Sequence, residues 1–150
     1  MPKMHLAQLN IAFAKAAMDD PVMQDFVAQL DEVNAEAEQS PGFIWRLQTD
    51  EGNATDIRVL NNDEVIINLS VWQSIESLKN FLYSGQHLKV LQNKAAWFEK
   101  MSSAHLVLWW VPEGHTPNID EALMKLSFIN EYGPTAEAFT FAKPFEANQL

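Results

Sequence analysis

The sequence predicts an α+β fold in which a four-stranded antiparallel sheet carries two helices on one face. Three observations predict it. Four segments have strand character, at 5–13, 43–49, 65–72 and 105–111. Two segments of helical spacing separate the first strand from the second and the third from the fourth. The resulting order, β-α-β-β-α-β, is the split βαβ arrangement of ferredoxin-like sheets.

Residues 5–13 alternate between His5, Ala7, Leu9, Ile11, Phe13 and Leu6, Gln8, Asn10, Ala12, a period of two that marks a strand. Asp20-Pro21 supplies a helix cap and a first helical position. Val22, Phe26, Leu30, Val33 and Ala37 then recur at three- and four-residue spacing, so 21–39 is a helix that Ser40-Pro41-Gly42 ends. FIWRLQT at 43–49 is the second strand. The polar stretch from Asp50 to Glu64 is long for a structureless loop, so part of it is expected to extend a strand. VIINLSVW at 65–72, rich in β-branched residues, is the third strand.

Ser74 caps the second helix, with Glu76 favourable in its first turn. Leu78, Phe81 or Leu82, Leu88, Leu91, Ala95 and Phe98 continue an apolar stripe to Met101. Gly85 interrupts it at a cost of about 1 kcal/mol relative to Ala, which predicts a break over 84–87. HLVLWWV at 105–111 is the fourth strand, and its alternation leaves open which of Trp109 and Trp110 takes which face. Beyond the Pro112–Pro117 loop, Asn118 with Glu121 begins a helix that Gly133-Pro134 stops after Tyr132, and FTFAKPF is short and strand-like. The expected organisation is one domain over residues 1–150, with a C-terminal extension over 118–150, as the length suggests.

Composition excludes several functions. The chain has no Cys, which removes disulfides, thiolate metal sites and thiol catalysis, and makes the cytoplasm the expected compartment. The net charge is −10 and no Lys/Arg cluster exists, so neither nucleic acid nor an anionic membrane is an expected partner. No apolar run reaches the length of a membrane span, and Gln8, Asn10 and Lys15 interrupt what a signal peptide would keep apolar. The sequons at Asn53 and Asn68 are then incidental. His5, His105 and His115 show no metal-ligand spacing, and no metal or cofactor is expected.

Sorting strand residues by parity gives two sets. His5, Ala7, Leu9, Ile11, Phe43, Trp45, Leu47, Val65, Ile67, Leu69 and Val71 are the apolar odd set, expected to meet the helices. The even set mixes Gln8, Asn10, Arg46, Gln48, Asn68, Ser70 and Trp72 with Leu6, Ile44 and Ile66. That face is expected to close against a second subunit's sheet. The enclosed space either holds a small ligand, since apolar walls with a few convergent polar groups make a binding pocket, or is filled by hydrogen bonds across the seam.

The stretch SVWQSIESLKNFLYSGQHLKVL resembles the dimeric α+β-barrel superfamily, which includes the antibiotic-biosynthesis monooxygenases. GFIWRLQT, NLSVW, AAWFEKM, LVLWWVPEGHTP and AFTFAKPF are similar to one bacterial family catalogued only as a domain of unknown function. The resemblance implies the fold and a homodimer, and no established activity. Asn68-x-x-x-Trp72 resembles the quinone-forming monooxygenases, in which an Asn and a Trp four apart face the substrate; their Tyr six residues after the Trp is Leu78 here. Asn10 matches the strand-one Asn of haem-degrading members, but Phe81 and Leu91 replace their Trp and His, which disfavours haem degradation.

His87, at the helix break, is the candidate catalytic base. Asn10, Arg46, Asn68, Ser70, Trp72 and Tyr83 are the candidate substrate-binding residues: Trp72 for stacking, Tyr83 as a hydrogen-bond donor, and Arg46 to hold an anion unless a carboxylate pairs it. The function these imply is binding of a small aromatic or anionic molecule, by a cofactor-independent monooxygenase or isomerase, or by a non-catalytic sensor.

Overall fold

The computed structural model describes residues 3–13, 15, 20–47, 65–83, 97 and 106–147. Its elements are β1 (Met4–Phe13), a 3-10 turn (Pro21–Met23), α1 (Gln24–Gln39), β2 (Phe43–Arg46), β3 (Val65–Trp72), α2 (Ile75–Leu82), β4 (Leu106–Pro112) and α3 (Ile119–Tyr132). The four strands form one sheet in the order β2-β3-β1-β4, antiparallel throughout. The Asp50–Glu64 stretch and the helix expected beyond Tyr83 lie outside the described residues, except for Trp97.

The capping signals act where expected. The Asp20 side chain accepts from the Val22 N–H at 2.9 Å, and that of Asn118 from the Glu121 N–H at 2.8 Å. The Ser74 side chain accepts from the Ser77 N–H, while the Ser77 hydroxyl accepts from the Ser74 N–H. Gly42 turns the chain into β2 with φ of 86° and accepts from the Gln73 N–H at 2.8 Å. A Cβ there would stand 2.4 Å from the Ser77 Cβ, so both its handedness and its bareness are required.

The two parity sets lie on opposite faces, but the cover is the reverse of the expectation. The odd set, with Ala7, Leu9, Leu69, Val71, Val107 and Trp109, packs on Ala122, Leu126 and Ile129 of α3. The even set, with Leu6, Trp72 and Leu108, packs on Ala37 of α1 and on Leu78 and Phe81 of α2. Helices α1 and α2 therefore cover the mixed face, within the same chain and without a second subunit as roof. Alternation tells which side chains share a face, but not which helix takes that face. Here Leu6, Trp72 and Leu108 offer α1 and α2 as good an apolar seat as the odd set, and α3 takes what remains.

A register shift in β2 assists. Phe43 stands opposite Trp72 and Trp45 opposite Val71, so one extra residue between them sends Phe43 to the even face and Trp45 to the odd. Trp109 and Trp110 likewise part, to the α3 side and the α2 side. The tail follows the outer edge of β4, where Phe139 and Leu108 exchange two backbone hydrogen bonds of 2.9 and 2.8 Å and the Trp110 Nε1–H donates to the Phe145 carbonyl at 2.9 Å. FTFAKPF thus makes isolated bridges rather than a further strand, and it covers an otherwise open edge. Among the described residues, no helix is long and apolar enough to cross a membrane.

Candidate functional site

Strand register arranges the even face in rows across the sheet. Phe43, Trp72, Leu6 and Trp110 form the first row, Arg46, Ser70, Gln8 and Leu108 the second, and Asn68, Asn10 and Leu106 the third. The first row is sealed. Trp72 is 1% exposed, stacks on Phe81 at 5.2 Å between ring centres and meets the edge of Phe43 at 5.4 Å. With both sides of the indole in contact with protein, it is a core residue and not a stacking surface for a ligand.

The second row is buried and polar. Ser70 Oγ accepts from the Trp72 Nε1–H at 2.8 Å and from Gln8 Nε2 at 2.8 Å. Gln8 Nε2 also donates to Asn68 Oδ1, and its distance to the Asn68 backbone carbonyl is 3.3 Å. One buried amide therefore ties the first row to the third. Parity places Gln8 on this face, but nothing in its sequence neighbourhood marks it as the hub; only the pairing of Gln8 with Ser70 does. Arg46 closes the row at the edge strand, where its Nε donates to Glu38 Oε1 of α1 at 2.9 Å. The cation is thus engaged by a carboxylate of its own chain.

The third row is exposed at Asn68 and half-buried at Asn10 and Leu106. Asn68 is exposed, whereas Asn10, directly opposite, keeps its Oδ1 buried with no hydrogen-bond partner among the described residues. A buried acceptor left unmade costs about 1–3 kcal/mol, so such atoms in native folds call for a partner. The row combines that acceptor with an exposed amide, an apolar neighbour in Leu106 and a rigid strand scaffold on two central strands.

Of the predicted site residues, Asn10, Asn68, Ser70 and Arg46 come together on this face, and Trp72 lies beneath it as packing. Tyr83 is the C-cap of α2 and 58% exposed, with no contact to the row shown. His87 lies outside the described residues. On the other face, Glu121 accepts from the Trp109 Nε1–H at 2.9 Å and pairs with His115 Nε2 at 2.7 Å, which ties the loop after β4 to the start of α3. Its carboxylate does this instead of closing a reciprocal cap. Among the described residues, no cluster of His, Asp and Glu suits a metal ion.

A family model described as a domain of unknown function (DUF3291) matches residues 5–150. No curated protein matches the chain. Among solved structures, a conserved protein from Methanosarcina mazei Go1 superposes with a TM-score of 0.52 at 14% identity, over 73% of this chain and 93% of that one. A protein from Pseudomonas aeruginosa does so with a TM-score of 0.51 at 8% identity, over 77% and 99%. SnoaB, a cofactor-independent oxygenase from Streptomyces nogalater, gives a TM-score of 0.48 at 14% identity, over 75% and 95%. At such identities the likeness is one of fold. The sheet order and the helices on its even face give that fold as a ferredoxin-like α+β unit, and the chain belongs to the family described as a domain of unknown function (DUF3291).

Proposed function

We propose that this chain binds a small aromatic molecule at the third row of the even face, where Asn68 is exposed beside the half-buried Asn10 and Leu106. The observation that carries this reading is the buried Oδ1 of Asn10, without a partner among the described residues, opposite an exposed Asn68. One side of the site is fixed, because the Trp72–Ser70–Gln8 chain of hydrogen bonds holds the rows next to it. The pairing of Arg46 with Glu38 argues for a neutral ligand over an anionic one.

In its catalytic form the reading is a cofactor-independent oxygenase or isomerase. Asn10 and Asn68 orient the substrate, His87 removes a proton from it, and the electron-rich ring itself reacts onward, with dioxygen in the oxygenase case. A non-catalytic ligand sensor is the second reading. It is favoured by the makeup of the described row: amides, a hydroxyl and an arginine already paired, with no free acid or base among them. A homodimer in the cytoplasm is part of the proposal. It rests on the superfamily resemblance, since the even face is covered within one chain.

Native mass spectrometry of freshly purified protein, beside the Asn10→Leu variant, tests the reading. The expected result is a small molecule retained by the wild type and lost from the variant, in a species of twice the 17.0 kDa chain mass. Equal retention by both would place the ligand elsewhere. Once a ligand is known, His87→Ala separates the two forms: lost turnover with binding kept makes the protein an enzyme.

A further inference from the structure

We infer that Gln8 is a positioning residue that turns the Asn68 amide so that its Nδ2 faces the site, and that the Asn10–Asn68 pair therefore selects a neutral aromatic ligand bearing a hydrogen-bond donor beside an acceptor. This inference rests on the binding site proposed above and adds to it the chemistry of the group recognised.

Two groups whose roles are fixed by their chemistry set the orientation. The indole N–H of Trp72 can only donate, and it donates to Ser70 Oγ at 2.8 Å. The backbone carbonyl of Asn68 can only accept, and it lies 3.3 Å from the Gln8 amide atom that also contacts Ser70 Oγ at 2.8 Å. An amide oxygen turned towards that carbonyl would be repelled, so the atom is Nε2. Gln8 Nε2 also meets the end of the Asn68 side chain, which must then offer Oδ1 to it. The Nδ2 of Asn68 is left pointing away from Gln8, on an exposed residue.

Asn10 faces Asn68 directly across the β1–β3 pair. Opposed residues on adjacent strands have their Cβ atoms about 4.5–5.5 Å apart, a span that one small functional group can bridge. Asn68 gives it a donor, and the buried Oδ1 of Asn10 requires one back. The complement is a primary carboxamide, or a hydroxyl adjacent to a carbonyl, on an apolar ring. A carboxylate has no donor to give Asn10 and meets a chain of net charge −10.

Three naphthalenes with one variable group test this by calorimetric titration: 1-acetylnaphthalene (acceptor only), 1-naphthylamine (donor) and 1-naphthamide (both). In the wild type, 1-naphthamide is expected to bind about five- to tenfold tighter than either other probe. Gln8→Leu, which frees the Asn68 amide to rotate, should weaken 1-acetylnaphthalene about fivefold and leave 1-naphthylamine unchanged. Gln8→Glu should draw Asn68 Nδ2 inward and turn its Oδ1 outward, so that 1-acetylnaphthalene weakens and 1-naphthylamine tightens relative to the wild type. If the buried carboxylate prevents folding, Asn10→Leu gives the reciprocal result, with only the donor-bearing probes weakened. Equal affinity for all three probes in the wild type, or a uniform loss in Gln8→Leu, overturns the inference and leaves the site standing. Failure of every probe to bind the wild type overturns the site itself.

Discussion

The two faces of the sheet use the same alternating strands to different ends. On the odd face, the rows through Ala7, Leu9 and Ile11 are apolar and pack against the apolar side of α3, with His5, opposite Val111, the buried polar side chain at their end. On the even face the apolar row ends at Trp72 and Leu6, a hydrogen-bonded polar row follows, and the third row holds an exposed Asn68 and a buried acceptor without a partner among the described residues. A face built only for stability has no reason to stop its apolar packing partway or to leave a buried carbonyl unpaired. The difference marks the odd face as core and the far end of the even face as the seat of the proposed binding site.

That contrast can be broken first at its sealed end. Trp72→Ala removes an indole held between Phe43 and Phe81 and orphans part of the Ser70 network, so a loss of about 3–5 kcal/mol is expected in denaturant unfolding. A loss below about 1 kcal/mol would mean that Trp72 is not core. Leu9→Ala on the odd face is expected to cost about 2–5 kcal/mol with no effect on ligand affinity. Asn10→Leu is expected to have the opposite signature: stability rises by about 1 kcal/mol, because an unsatisfied buried acceptor is replaced by an apolar group of similar size, while binding of donor-bearing ligands is lost. The smallest effect belongs to Arg46→Gln. With Arg46 side-chain exposure of 12% and Glu38 of 45%, the pair contributes at most about 1 kcal/mol, and affinity for a neutral ligand should not change.

Much of the fold was legible because its signals are local. Ser74 and Asn118 cap the helices the sequence assigns to them, Asp20 caps the 3-10 turn that leads into α1, and β3 has the bounds its β-branched run predicts. The membership of each face was legible as well, since alternation is a property of one strand, except at Phe43, which the bulge in β2 moves from the expected odd face to the even one. What covers each face was not. That depends on where α3 docks, which is decided by competition among three apolar helix faces for two sheet faces. The candidate site was legible to the same degree. Asn10, Asn68 and Ser70 emerge from parity, whereas the roles of Gln8 and of Trp72 depend on register and on the rings packed around them. Arg46 looks like an anion anchor until its neighbour in space, Glu38, is known.

Two indoles report on the two faces: the Trp72 Nε1–H bound to Ser70 on one, and the Trp109 Nε1–H bound to Glu121 on the other. A 15N NMR titration with 1-naphthamide reads both at once. The site described here predicts movement of the Asn68 and Gln8 side-chain amides and of the Trp72 indole, with the Trp109 indole and the α3 amides unmoved. Movement of Trp109 and α3 instead, or no movement on either face, would contradict it.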